Sequence, residues 1–319
     1  MTGGSALLER YNAAGGVFPH ERRASQRATP FDGYFWRFVD RKSDRIAVCL
    51  CGVTRGSDEE TLTATALHPS GRMLVARTRR AVESKSQFHL SGTDVRASDS
   101  GLRLNFFDGS AEFEIRKRTT LGSATLPFLA GQLVPGLGHY WQPMIFGGTA
   151  RGIVTSASST ERFEDADVYF ERTWGGGFPA RWWWGHAASF ETGDVAVAFA
   201  GGSARLASTP ISPTALVIRL GDERISLVPP FAKARTRISR NGWHITVTSS
   251  RYKVRLAGQP GNQAPIQLPL PRASSAGSRA GARHTLSGAV DLVVSDRRSV
   301  LFSGRSERAG LEIGVGTSA

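Results

Sequence analysis

The 319-residue chain reads as all-β, folded in two halves. Three observations predict this. Apolar and polar residues alternate with a period of two in one segment after another, as half-buried strands require. Asp108-Gly109 and Asn241-Gly242 each lie between two such runs, where a tight hairpin turn belongs. Glycine is abundant, at 36 residues, and no long amphipathic helical pattern occurs, a balance that suits short strands joined by tight turns.

Taken in order, residues 1–25 are polar and glycine-bearing and read as a loose tail. An N-terminal β domain is expected over 26–165. It opens on FDGYFWRFVD and continues through RIAVCLCGV (45–53), RMLVARTRR (72–80), SGLRLNFFDG (100–109) and SAEFEIRKR (110–118), with a hairpin across LNFFDGSAEFEI. Residues 121–144 are apolar but broken by Pro127, Pro135 and Pro143, so they read as a long structured connection rather than a helix. The C-terminal domain, 166–319, resumes the alternation in DVAVAFAGG (194–202), TALVIRLGD (214–222), RISLVPPF (224–231), TRISRNGWHITVTSS (236–250) and YKVRLAG (252–258). A Pro, Ser and Gly-rich loop is expected over 259–284, before two closing strand segments.

Lys plus Arg outnumber Asp plus Glu by 40 to 27, a formal charge of +13. That balance favours anionic partners without choosing among them. The basic runs RISRNGWHITVTSSRYKVR and ARTRR read as solvated strand faces. The N-terminus lacks the apolar core of a secretory signal, and no stretch approaches the roughly 20 apolar residues of a spanning helix. A cytoplasmic protein is expected, with peripheral contact to an anionic membrane. Cys49 and Cys51, the only cysteines, share one strand face and are badly placed to bond each other. They read as two buried thiols, since a zinc site would need partners with no visible spacing. Gly175–Gly177 precede no helix, so they make a weak phosphate cradle. Neither a metal nor another cofactor is expected. A nucleic-acid binder, stacking bases on a basic β surface, is the weakest reading; no nucleic-acid or protein partner is inferred.

The densest chemistry lies in YFERTWGGGFPARWWWGHAASF, residues 169–190. On a strand, Trp182 and Trp184 take one face and Trp183 the other, so one face lines a site while the other packs core. His186 continues the Trp182 and Trp184 face, and Glu171 shares a face with Tyr169. Each has a plainer reading. The tryptophans serve equally as core aromatics, Glu171 as the partner of an arginine, His186 as a satisfied interior histidine, Asp32 as a backbone acceptor and Glu312 as a solvated or arginine-paired carboxylate.

WGGGFPARWWWG resembles the tocopherol cyclase family, whose members carry Trp-Gly-Gly-Gly-Phe-Pro followed by an aromatic triplet. PFDGYFWRF (30–38), HYWQPMIFGGTARGIV (139–154) and AGLEIGVG (309–316, with Glu312) are similar to further family segments in the same order. The resemblance implies two lipocalin-like β-barrel or sandwich domains with a ligand pocket between or within them. It implies an isomerase that closes a prenylated hydroquinone to a chromanol. Arg172-Thr173 replaces the family's Lys-Asn, and His186 and Ala188 stand where Gln and Asn are usual.

Ring closure of this kind begins when a trisubstituted alkene accepts a proton, giving a tertiary cation that the phenol oxygen captures. The site needs a carboxyl in an apolar setting or a protonated histidine as donor. It also needs aromatic faces that tolerate the cation, at about 0.5–2 kcal/mol each, and exclusion of water. Glu171 is the first candidate donor and His186 the next, with Asp32 as a third acidic group. Trp182 and Trp184 are assigned to cation stabilisation and Tyr34 and Tyr169 to orienting the phenol; Trp36, Trp141, Trp174 and Glu312 complete the expected lining. An isoprenoid hydratase admitting water, or a non-catalytic lipocalin-like binder of lipophilic quinones, are the alternatives.

Overall fold

A computed structural model describes residues 31–54, 60–79, 83–86, 89–133, 138–206, 209–270 and 281–315, together with Glu9 and Gly16. Most of the 1–25 tail and positions 271–280 of the proline-rich loop lie outside these. The chain forms two lipocalin-like β units, one built on a half-barrel sheet and the other on a nearly closed barrel sheet.

The first unit takes the chain up to Thr120, then His139–Gly177 and Pro269–Gly277. Its strands are β1 (Phe31–Asp40), β2 (Ile46–Thr54), β3 (Glu60–His68), β4 (Met73–Thr78), β5 (Glu83–Ser86), β6 (His89–Ser91), β7 (Val95–Ser98), β8 (Gly101–Phe106), β9 (Gly109–Arg118), β10 (His139–Ser156) and β11 (Ser159–Gly175). They are hydrogen-bonded in the order β4-β3-β2-β1-β11-β10-β9-β8-β7-β6-β5, so β11 returns to pair with β1 at the centre of the sheet. β1 is buried on both faces, which fits a sequence in which five of its ten residues are aromatic. One face packs the unit's core, with Phe38 stacked on Phe113 at 3.7 Å and Phe163 beside them. β8 and β9 form the expected hairpin, closed by the two-residue loop Phe107-Asp108. β11 runs unbroken through residue 165, and the passage to the second unit falls between Gly177 and Phe178.

The second unit comprises Leu121–Gly138, Phe178–Leu268 and Ser278–Ala319. Its strands are β12 (Arg181–Ala187), β13 (Val195–Gly202), β14 (Ala204–Leu206), β15 (Thr209–Ile211), β16 (Thr214–Leu220), β17 (Glu223–Leu227), β18 (Ala232–Ser239), β19 (Gly242–Ser249), β20 (Lys253–Gln259), β21 (Ile266–Leu268), β22 (Gly281–Ser295) and β23 (Val300–Val315). The main sheet runs β17-β16-β13-β12-β23-β22-β20-β19-β18, with β21 added on β22 and β14-β15 a separate ribbon. Its core gathers Trp183, Phe199, Leu216, Trp243, Val247 and Leu311. The Asn-Gly signal marks the β18–β19 hairpin, whose loop is Arg240-Asn241 and whose return strand begins at Gly242.

Two segments differ from their sequence reading. Residues 121–144 are not one irregular connection: a 3-10 turn at Gly122–Ala124 leads into a helix, α1 (Thr125–Gly131), and β10 already starts at His139. Pro127 occupies the first turn of α1, where its missing N–H costs nothing because those donors have no intrahelical partner. Pro143 lies at a register shift of β10 against β11, a bulge that spares the ladder. The expected 259–284 loop likewise contains β21 and the first residues of β22.

Candidate functional site

The site residues expected from the sequence fall into three clusters, two in the first unit and one in the second. The register of β1 against β11 pairs Tyr34 with Arg172, Asp32 with Trp174 and Trp36 with Phe170, and β10 sets Gln142 beside Arg172 and Tyr140 beside Trp174. Cross-strand partners share a face. Asp32, Tyr34, Trp36 and Trp174 therefore stand together on the face that carries the core. Trp36 stacks on Phe170 at 4.6 Å, and Tyr140 on Trp174 at 5.5 Å. Arg172 donates to Asp32 Oδ1 through Nε at 2.9 Å and again through Nη2, and its guanidinium sits 4.6 Å above the Trp174 ring. Both members of the ion pair are buried. Among the described residues, Trp36 Nε1 and Gln142 Oε1 are buried on this face without a hydrogen-bond partner.

The opposite face of the same strands carries Glu171. Trp141 Nε1 donates to Glu171 Oε2 at 2.6 Å, and the Tyr169 hydroxyl donates to the same oxygen. All three are buried, and Phe146 packs edge-on to Tyr169. Glu171 and Tyr169 share a face, as their spacing requires. Glu171 is not in line with Tyr34, Trp36 and Trp174, because odd and even positions of β11 point to opposite sides. Beyond this cluster, His139 Nδ1 lies 3.0 Å from the Gly177 carbonyl and its ring stacks on Phe31. Burial pulls the His139 pKa down to about 4, with the Gly177 carbonyl opposing.

In the second unit Trp183 enters the core and donates to Thr214 Oγ1 at 3.1 Å. Trp182, Trp184 and His186 occupy the other face of β12, and all three are buried. Register pairs Trp184 with Glu312 and Glu312 with His284. Trp182 Nε1 donates to Glu312 Oε1 at 2.7 Å, while His284 Nδ1 lies 3.0 Å from Glu312 Oε2. The Trp184 and His284 rings are 5.6 Å apart, and Phe178 lies against Trp182 at 4.8 Å. Glu312 thus links an indole to an imidazole, an arrangement able to hold and pass a proton beside two aromatic walls. His284 and Gln142 were missed by sequence reasoning. Each belongs to its cluster only through strand register, which spacing along the chain does not express.

Cys49 and Cys51 are free and buried; burial pushes both thiols up to about 12, and Thr65 donates to Cys49 Sγ. Thiols so far from the thiolate are poor nucleophiles and poor metal ligands. Among the described residues no group of three or more His, Cys, Asp or Glu side chains is placed to hold a metal ion.

A profile of the tocopherol cyclase-like family matches residues 122–315, more than half of the chain. A probable chloroplastic tocopherol cyclase of Oryza sativa subsp. japonica is 26% identical over 191 residues, which cover 56% of this chain and 40% of that protein. The chloroplastic tocopherol cyclase of Zea mays is 32% identical over 94 residues, 28% of this chain and 20% of that protein. The chain therefore matches less than half the length of either relative. Among solved structures, a Nitrosomonas europaea protein superposes with a TM-score of 0.55 at 12% identity, covering 95% of this chain and 99% of that one. Kievitone hydratase of Nectria haematococca gives 0.53 at 13% identity, over 91% and 90%. At these identities the likeness is one of fold. Since the profile spans the triple-glycine motif, the tryptophan strand and the closing strand with Glu312, the chain belongs to the tocopherol cyclase-like family.

Proposed function

We propose that the protein is an enzyme that closes a prenylated hydroquinone to a chromanol, with Glu171 as proton donor. The carboxyl proton adds to the less substituted alkene carbon, the phenol oxygen bonds to the tertiary cation, and the phenol proton returns to the carboxylate. The observation that carries this reading is the setting of Glu171: a buried carboxyl enclosed by Trp141 and Tyr169, which both donate to one of its oxygens. Such a wall shields the cation from water, and its ring faces tolerate positive charge. A lipophilic substrate of this class partitions into membranes, which fits peripheral contact with an anionic surface.

The reading is tested by anaerobic incubation with prenylated hydroquinones in deuterated buffer, followed by mass spectrometry. The expected product is isomeric with its substrate apart from one carbon-bound deuterium. Glu171→Gln should lower turnover at least 100-fold, in the range that a positioned general acid contributes, while still retaining ligand. The tryptophan face of the second unit supports a second reading through its own acid–base pair, His284 and Glu312. Turnover lost in Glu312→Gln and kept in Glu171→Gln would move the chemistry there. A product that gains the elements of water would make the protein a hydratase, the activity named for kievitone hydratase; retention without turnover would leave a binder.

A further inference from the structure

We propose that the outer face of β18-β19-β20 is a docking surface for an anionic lipid bilayer. Register sets Lys233 across Thr248 from Lys253, and Arg235 across Thr246 from Arg255, while Arg237 lies beside His244. Lys233, Arg235, Arg237, Lys253 and Arg255 are all exposed, and the intervening positions of these strands point into the core. The ion pairs described in this unit, Arg219–Asp194, Arg251–Glu223 and Arg305 with Asp291 and Glu307, use other cations. Asp291, the acid at the corner of the face, is taken by Arg305 at 2.6 Å. Among the described residues the five cations therefore face solvent without a carboxylate.

Strand geometry spreads them over a grid of roughly 10 Å by 13 Å. A two-dimensional grid matches a plane of headgroups rather than a single line of phosphates. Phe231, 61% exposed, lies two residues before Lys233, and Val300, 59% exposed, ends the row Lys233–Thr248–Lys253–Ser295. Exposed apolar residues at the rim of a basic face are the composition of an interfacial membrane contact. Single-stranded nucleic acid would call for aromatic platforms within the grid, but Trp243 of β19 is turned into the core. The inference does not rest on the catalytic reading.

The test is co-sedimentation of the full chain with phosphatidylcholine vesicles containing or lacking phosphatidylglycerol. Binding is expected only to the anionic vesicles, without competition from soluble glycerol phosphate. At about fivefold per cation near such a surface, the triple variant Arg235→Gln, Arg237→Gln and Arg255→Gln should partition roughly 100-fold less. A control triple removing exposed Arg96, Arg103 and Arg116 of the first unit carries the same net charge and should keep most of the binding. Equal losses in the two triples, equal binding to both vesicles, or triple-sensitive binding of a single-stranded oligonucleotide in place of vesicles would each overturn the proposal. Because the partition is read without turnover, a protein inactive on every hydroquinone leaves this result standing, and an active one with indifferent vesicle binding sinks only this inference.

Discussion

Asp32 and Arg172 show what a buried charge costs when its partner is taken away. They form a side-chain ion pair of 2% and 3% exposure, with the Trp174 ring beneath the guanidinium. Pairing offsets the desolvation of both groups, and removing one partner strands the other. Asp32→Asn should therefore cost about 3–5 kcal/mol in urea unfolding, while the double change Asp32→Leu with Arg172→Met costs clearly less. Loss of similar size in both variants would mean that shape rather than charge governs this position. His139 offers a pH test on the same strand system. Its folded pKa, about 4, lies below the 6.5 of a free imidazole because burial disfavours the charged ring. The unfolded chain then binds the extra proton first as pH falls. The contribution is complete above about pH 6.5, declines between 6.5 and 4, and amounts to about 1–3 kcal/mol. His139→Gln should flatten that part of the stability profile; an unchanged slope would assign the acid sensitivity to other groups.

Close approach of strands and rings sets the scale of the elements. Gly314 of β23 lies directly under the Trp182 indole, and a Cβ there would fall inside the ring. Gly314→Ala should cost about 1–3 kcal/mol by overpacking and push Trp182 away from Glu312, seen as a shift in tryptophan emission. An unshifted spectrum would show that the indole is free to move. The elements themselves were largely legible: alternation located the strands, and both turn dipeptides marked real hairpins. What escaped was whatever depends on one residue being exempt from its usual rule. Pro127 is harmless in the first turn of α1, and Pro143 is harmless at a bulge, but in sequence both read as breaks. The candidate site was legible in composition and not in arrangement. Alternation on β12 correctly separated Trp183 from Trp182 and Trp184. The same period also places Glu171 and Trp174 on opposite faces, yet it cannot say which strands flank β11, so Trp141 and Asp32 were named as site residues without their pairing to Glu171 and Arg172. Those pairings span 30 and 140 residues of chain and are fixed only when β1 and β10 settle on either side of β11.

Chain threading governs the molecule as a whole. Each unit has its own core, yet neither is made from one continuous stretch. Strands β9 and β10 are hydrogen-bonded neighbours in the first unit, while the segment joining them, Leu121–Gly138, belongs to the second. Conversely, the second unit takes up α1 before the chain departs to build β10 and β11. Folding either unit alone would leave the other's segment as an unsupported loop, at a closure cost on the order of 2 kcal/mol for segments of this length. Folding both removes that cost from each. Phe128, fully buried on α1 beside β17, is the natural probe of this coupling. Phe128→Ala removes a large side chain from the second unit and should cost about 3–5 kcal/mol. If threading couples the units, calorimetry will show one endotherm that moves down as a whole, and β-sheet signal from both units will melt together. Two endotherms, with only the lower one displaced, would mean that each core stands without the other.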